Sequence, residues 1–135
     1  MHNGGIKMIL RGRAIFKGNA RGKALVSDKP ISFYGGMDPD TGIITEKGHP
    51  LEGKSVRGTI LVFPTGKGST VGSYTLYRIK KNGNAPAAII NKECDTIVAV
   101  GAIISEIPCI DKVDITAIKD GDLVEIDGEE VKVKE

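Results

Sequence analysis

The stretch Gly58–Gly83, GTILVFPTGKGSTVGSYTLYRIKKNG, decides how the chain is read. Thr59–Phe63 is a continuous apolar run rich in β-branched residues, the pattern of a buried strand. Pro64 has no amide hydrogen to extend a central ladder, so the strand ends there. Thr65–Gly68 is a glycine-rich loop. From Thr70 to Lys81 the spacing predicts a helix, with Val71, Tyr74 and Tyr77 on one face and Leu76 and Ile79 beside it. Lys80 and Lys81 oppose the helix dipole in the last turn, and Asn82-Gly83 stops it. Ser69 therefore stands where a helix begins, among backbone N–H groups that lack helical partners. A hydroxyl there can cap the helix or do chemistry.

Outward from this unit the chain looks strand-rich. Arg11–Lys17 and Lys23–Ser27 read as short strands around a turn at Gly18–Gly22, and Ile31–Tyr34 as a third. Gly35-Gly36-Met37-Asp38-Pro39-Asp40-Thr41-Gly42 is a dense turn cluster, followed by a brief strand at Ile43–Thr45 and a loop at His49–Val56. Ala87–Asn91 is a second fully apolar strand. Thr96–Val100 and Ile103–Ile104 are apolar again, with Gly101 as a break. Ile107–Ile110 reads as an edge segment, and Asp114–Ala117 as a helical turn or short strand. Leu123–Ile126 and Val131–Lys134 alternate apolar and polar residues about Asp127-Gly128, a hairpin signal. The expectation is one domain over 1–135 of the α+β class, with a β-rich barrel-like core and two or three helices.

Composition limits the function. The net charge is +2 and aromatic residues are 4% of the chain, so neither a basic footprint nor a stacking platform points to nucleic acid. No apolar run nears the ~20 residues that span a bilayer, and the N-terminus lacks a signal-peptide core; the expected location is cytoplasmic. Cys94 and Cys109 match no zinc pattern and cannot hold an iron–sulfur cluster alone; they read as buried or half-buried thiols. His2 reads as part of a frayed tail, and His49 as exposed polar surface in a turn.

The glycine loop fails the familiar motifs. Lys67 is followed by Gly68, not by the Ser or Thr of a nucleotide-binding P-loop. Gly66 and Gly68 begin a dinucleotide fingerprint, but Gly72 comes one residue late. Lys67 stands two before Ser69 where a hydrolase elbow needs glycine. What remains is a loop whose glycines admit a ligand to the backbone, and whose Ser69, Thr70 and helix-start amides can bind an oxyanion or phosphate. On residues alone a plain N-cap at Ser69 or Thr70 and a phosphate- or nucleotide-binding module both stay open.

Pro64-Thr65-Gly66-Lys67-Gly68-Ser69-Thr70 resembles the G-x-G-S-[ST] serine loop of the aconitase superfamily's swivelling domain. The resemblance continues through Gly35–Ile44, Gly48-His49-Pro50-Leu51-Glu52-Gly53 and Ala87–Asn91. From about Gly12 to Gly128 the chain is similar to small subunits of the aconitase X family. The resemblance implies a swivelling β/β/α domain beside a separate large subunit that holds an iron–sulfur cluster, so that this chain binds no cofactor itself. It implies dehydration of a hydroxy acid, nearest to the conversion of (R)-5-phosphomevalonate to trans-anhydromevalonate 5-phosphate. It implies that Ser69 is the catalytic base, with Gly66, Lys67, Gly68 and Thr70 around the substrate. One departure stands out: the arginine that follows the serine pair in aconitase, and holds a substrate carboxylate, is Val71 here. A residue of the large subunit can replace it, and Lys67 or Arg78 is a weaker candidate for that contact.

Overall fold

A computed structural model of the chain describes residues 5–135; His2 lies outside them. The strands are β1 (Ile6–Arg11), β2 (Arg13–Phe16), β3 (Asn19–Val26), β4 (Ile31–Ser32), β5 (Ile60–Phe63), β6 (Gly66–Lys67), β7 (Ala88–Asn91), β8 (Cys109–Asp111), β9 (Leu123–Asp127) and β10 (Glu130–Lys134). The helices are α1 (Gly72–Lys81) and α2 (Thr96–Ser105), with a 3-10 turn at Ile115–Ala117.

Eight strands form one sheet in the order β1-β10-β9-β3-β5-β7-β8-β2. From β3 through β5 and β7 to β8 the strands are parallel, and the flanking pairings are antiparallel. The two outermost strands are consecutive in the chain, separated by Gly12 alone, so the sheet closes on itself like a barrel. Gly12 has no room for a side chain at this corner: a Cβ would overlap the Asp111 carbonyl oxygen and stand 2.7 Å from Val113 Cγ2.

Alternation along β5 builds two cores. Ile60 and Val62 face inward with Ala88, Ile90, Ile110, Val124, Ile126, Val131 and Val133. Leu61 and Phe63 face outward with Ile89 and Cys109, against Leu76 and Ile79 of α1 and Val98 and Ala102 of α2. The layers are thus β, β and α. Removing each such side chain from water contributes roughly 1.5–3 kcal/mol.

Several expectations change. Ile6–Leu10, for which no element was expected, belongs with Arg11 to strand β1, paired with β10. Asn19–Gly22 is not a turn: it continues β3 against β9, and Gly22 belongs in the strand because the Gly58 carbonyl oxygen would lie 2.8 Å from a Cβ there. The strand at Ile31–Tyr34 shortens to two residues, and Ile43–Thr45 makes only isolated bridges. Thr96–Val100 and Ile103–Ile104 are one helix. Gly101 does not break it; it lets α1 approach, with Leu76 Cδ2 2.9 Å from where a Cβ would stand. An apolar run of this kind has no periodicity to separate helix from strand, and the Asp95 cap decides it. Ile107–Ile110 is no edge either, because β8 lies between β7 and β2. The last hairpin turns at Gly128-Glu129, one residue later than expected. In α1 the buried residues are Gly72, Ser73, Thr75, Leu76 and Ile79, whereas Val71, Tyr74 and Tyr77 point to solvent. His49 is buried rather than exposed: Nδ1 accepts the Leu51 amide and Nε2 lies 3.0 Å from the Pro30 carbonyl oxygen, which joins two loops.

Candidate functional site

The serine loop leaves the sheet at a fixed point. The Asn91 side-chain amide donates to the Phe63 carbonyl at 2.9 Å, and the Pro64 carbonyl accepts the amides of Lys92 and Glu93. The exit of β5 is thereby fastened to the exit of β7. Gly66 and Lys67, expected as loop, form the short strand β6 in parallel with β4. Each glycine answers to a neighbour. A Cβ on Gly66 would stand 2.5 Å from Asp95 Oδ1, and one on Gly68 would stand 2.7 Å from Ser32 Oγ. Gly68 also holds φ +94°, which other residues rarely adopt.

Ser69 and Thr70 follow on the surface, both exposed. Ser69 Oγ accepts the Val71 amide at 3.1 Å, and its carbonyl accepts the Gly72 amide. The side-chain bond closes a turn ahead of α1, whose N-cap position, Val71, has no side-chain cap, and Thr70 makes no side-chain hydrogen bond among the described residues. The Ser69 hydroxyl uses one lone pair in that bond and keeps its own hydrogen free to donate. Among the described residues, the backbone amides of Ser69 and Thr70 have no acceptor. An exposed hydroxyl beside two unclaimed N–H groups is suited to an anionic ligand.

Beside the loop lies an open cleft of about 330 Å³, lined by Ser32, Tyr34, Gly35, Gly36, Glu46, Lys67 and Gly68. Lys67 Nζ is 2.8 Å from Glu46 Oε2 across it. The first two glycines of the Gly35–Gly42 cluster thus belong to the mouth. The rest of that cluster is anchored at the far end of α1, where Asn82 donates to the Pro39 carbonyl and Asn84 to the Asp40 carbonyl. Arg78 is engaged there with Asp40 at 3.4 Å and does not line the cleft. Two more enclosed apolar grooves continue from the site over α1. One is lined by Tyr34, Val71 and Tyr74 among others, and the second by Thr70, Tyr74, Ile97 and Val100. Tyr74, 68% exposed, stands between them.

Behind the loop sits a charged pair. Asp111 is fully buried and grips Arg13 with two bonds of 3.0 and 2.8 Å, while accepting the Cys94 amide at 2.9 Å. Burial alone would raise the Asp111 carboxyl; the Arg13 fork and the Cys94 N–H outweigh it and hold the group below its ordinary range. Cys94 is half-buried and Cys109 buried, and both are free thiols. Hydrogen bonding to Cys94, with burial, pushes the Cys109 thiol up, which leaves it inert. Among the described residues no three His, Cys, Asp or Glu side chains converge to hold a metal ion, and Cys94 and Cys109 alone do not make the thiolate set of an iron–sulfur cluster. Among the described residues no helix is long and apolar enough to cross a membrane.

The structure brings Gly66, Lys67, Gly68, Ser69 and Thr70 together at one rim. It adds Ser32, Tyr34, Glu46 and Asp95, which sequence reasoning did not single out. Only Asp95 carried a local signal, an N-cap residue before an apolar run; the others reach the site through long-range pairing.

Residues 9–134 match the family model described as the aconitase X swivel domain. The chain is 57% identical over 124 residues to a Methanosarcina acetivorans protein named phosphomevalonate dehydratase small subunit, covering 90% of this chain and 86% of that protein. A Thermococcus sibiricus protein of the same name is 54% identical over 130 residues, covering 95% and 100%. Among solved structures, the holo-form of Thermococcus kodakaraensis aconitase X superposes with a TM-score of 0.93 at 53% identity, covering 95% of this chain and 99% of that one.

Proposed function

The chain belongs to the aconitase X swivel domain family, and from that premise we propose that it is the small subunit of a phosphomevalonate dehydratase. It acts as one swivel-type domain in a hydro-lyase that removes water from (R)-5-phosphomevalonate to give trans-anhydromevalonate 5-phosphate. The names of its relatives support the substrate. The observation that carries the chemistry is the exposed Ser69 hydroxyl with two unclaimed amides beside it.

In this reading Ser69 takes the proton from the carbon next to the substrate carboxylate. The C–H and C–O bonds break and a C=C bond forms; the hydroxyl leaves as hydroxide and takes up the proton that Ser69 abstracted, so that one water is released and Ser69 returns to its starting state. A serine hydroxyl is a weak base in water, because its alkoxide is far too basic. Preorganised N–H donors change that, and one such donor is worth roughly 3–4 kcal/mol of transition-state energy. The amides of Ser69 and Thr70 fill this role once the site is covered, since excluding water strengthens them. Lys67, released from Glu46, meets an anionic group of the substrate, and Gly66, Gly68 and Thr70 offer backbone and hydroxyl contacts.

Covering the site falls to a larger companion subunit. Val71, Tyr74 and Tyr77 on α1 and Val100, Ile103 and Ile104 on α2 leave an apolar layer exposed beside Ser69, which supports such docking. The iron–sulfur cluster implied by the family is assigned to that companion, as the described residues of this chain hold no ligand set for it.

Co-expression with the larger subunit tests the reading. Both chains together should convert (R)-5-phosphomevalonate to a product lighter by one water, and neither chain alone should. Turnover of a different hydroxy acid, with none of phosphomevalonate, would refute the substrate.

A further inference from the structure

The first turn of α2 holds the serine loop from both sides. Before the loop, the Gly66 amide donates to Asp95 Oδ1 at 3.2 Å. After it, Ser73 Oγ donates to the Ile97 carbonyl at 2.7 Å. Ser69 lies between these two ties. We propose that Asp95 is a positioning residue for the dehydration, its carboxylate setting where the Ser69 hydroxyl points; this rests on the reading of Ser69 as the base.

Asp95 has a second duty that must be separated from this one. It caps α2, with Oδ2 accepting the Ile97 amide at 3.1 Å and Oδ1 the Val98 amide at 3.4 Å. The cap needs only those two bonds. The Gly66 bond comes from 29 residues away and adds nothing to the cap. The fit is close, because Asp95 Oδ1 and Val98 Cγ2 together fill the space a Gly66 side chain would need. Asp95 is itself immobilised. The neighbouring Cys94 amide donates to Asp111, and Arg13 of β2 grips Asp111 through both carboxylate oxygens. A row of fixed groups thus runs from the sheet to the loop. No second ionic group is needed at Ser69 for this to matter, since displacing a reacting group by about 1 Å can cost roughly 100-fold in rate.

Two substitutions separate the duties. Ser caps a helix about as well as Asp, but its oxygen is one bond nearer the backbone and does not reach Gly66. Asn keeps an oxygen at the same reach. In the assembled two-subunit enzyme, Asp95→Ser should lower kcat about tenfold or more while KM moves less than about threefold. The melting temperature of the chain should stay near wild type, and hydrogen exchange at the Gly66 amide should accelerate. Asp95→Asn should keep kcat within about threefold of wild type. Wild-type kcat in Asp95→Ser would overturn the proposal. So would equal losses in both variants that track melting temperature, the behaviour of a plain cap. A Ser69→Ala arm keeps the two claims apart. If that variant turns over normally the base assignment fails, while Gly66 exchange in Asp95→Ser still reports whether Asp95 holds the loop.

Discussion

The two faces of strands β5 and β7 carry cores that are finished in different ways. On the inner face, Ile60, Val62 and Ile90 meet Val124, Val131 and Val133 from neighbouring strands, and Val113, Ile115 and Ile118 on and around the 3-10 turn join the same core. On the outer face, Leu61, Phe63 and Ile89 are equally buried beneath α1 and α2, yet those helices turn Val71, Tyr74, Tyr77, Val100, Ile103 and Ile104 to solvent. The inner core has no further surface to offer. The outer layer ends in apolar side chains, and Ser69 stands on its rim. The outer layer thus keeps exposed apolar side chains beside the proposed site, where the proposed companion would dock.

Three perturbations sharpen this contrast, in descending order of effect. Ile90→Ala opens a cavity inside the barrel and should cost about 3–4 kcal/mol in denaturant unfolding of the chain; a loss under about 1 kcal/mol would mean that the inner core is not tightly sealed. Tyr74→Ala should change that stability by less than about 0.5 kcal/mol, as surface truncations do. It should nevertheless weaken association with the larger subunit about tenfold in a titration, as loss of an exposed aromatic anchor does. Unchanged association would remove α1 from the docking face. The smallest effect is acid dependence at the join between the layers. The folded-state Asp111 carboxyl is held low, so its stabilising contribution is present above about pH 4 and is lost as pH falls through the lowered value. Thermal melts across that range should show an acid limb that Arg13→Ala abolishes, because burial without the arginine favours the protonated acid. Identical limbs would contradict the assignment.

How much of this was legible from residues alone depended on distance along the chain. Strand β5, its stop at Pro64, the strand β7 and the β9–β10 hairpin are local patterns, and they stand. The serine loop was legible for the same reason, since strand, glycines, hydroxyls and helix follow one another within a dozen residues. Helix α2 was obscured because TIVAVGAIIS is apolar on nearly every face, so no period marks it. The exposed face of α1 was read as apolar but not as outward, because which face packs is settled by Gly101 and Ser73 letting the two helices meet. Asp95 announced only its cap, and Asp111 announced nothing, for a different reason. Their partners, Gly66 and Arg13, lie 29 and 98 residues away, and only the folded sheet brings them together.

The central claim is that the Ser69 hydroxyl performs the proton removal once the companion subunit covers the rim. The most direct measurement is single-turnover dehydration of (R)-5-phosphomevalonate by complex reconstituted with Ser69→Ala, with assembly verified in the same sample. The complex should stay intact and the rate should fall by about a thousandfold or more, the scale of losing a group that acts directly on the reacting atoms. Dehydration within about threefold of wild type by that intact complex would contradict it.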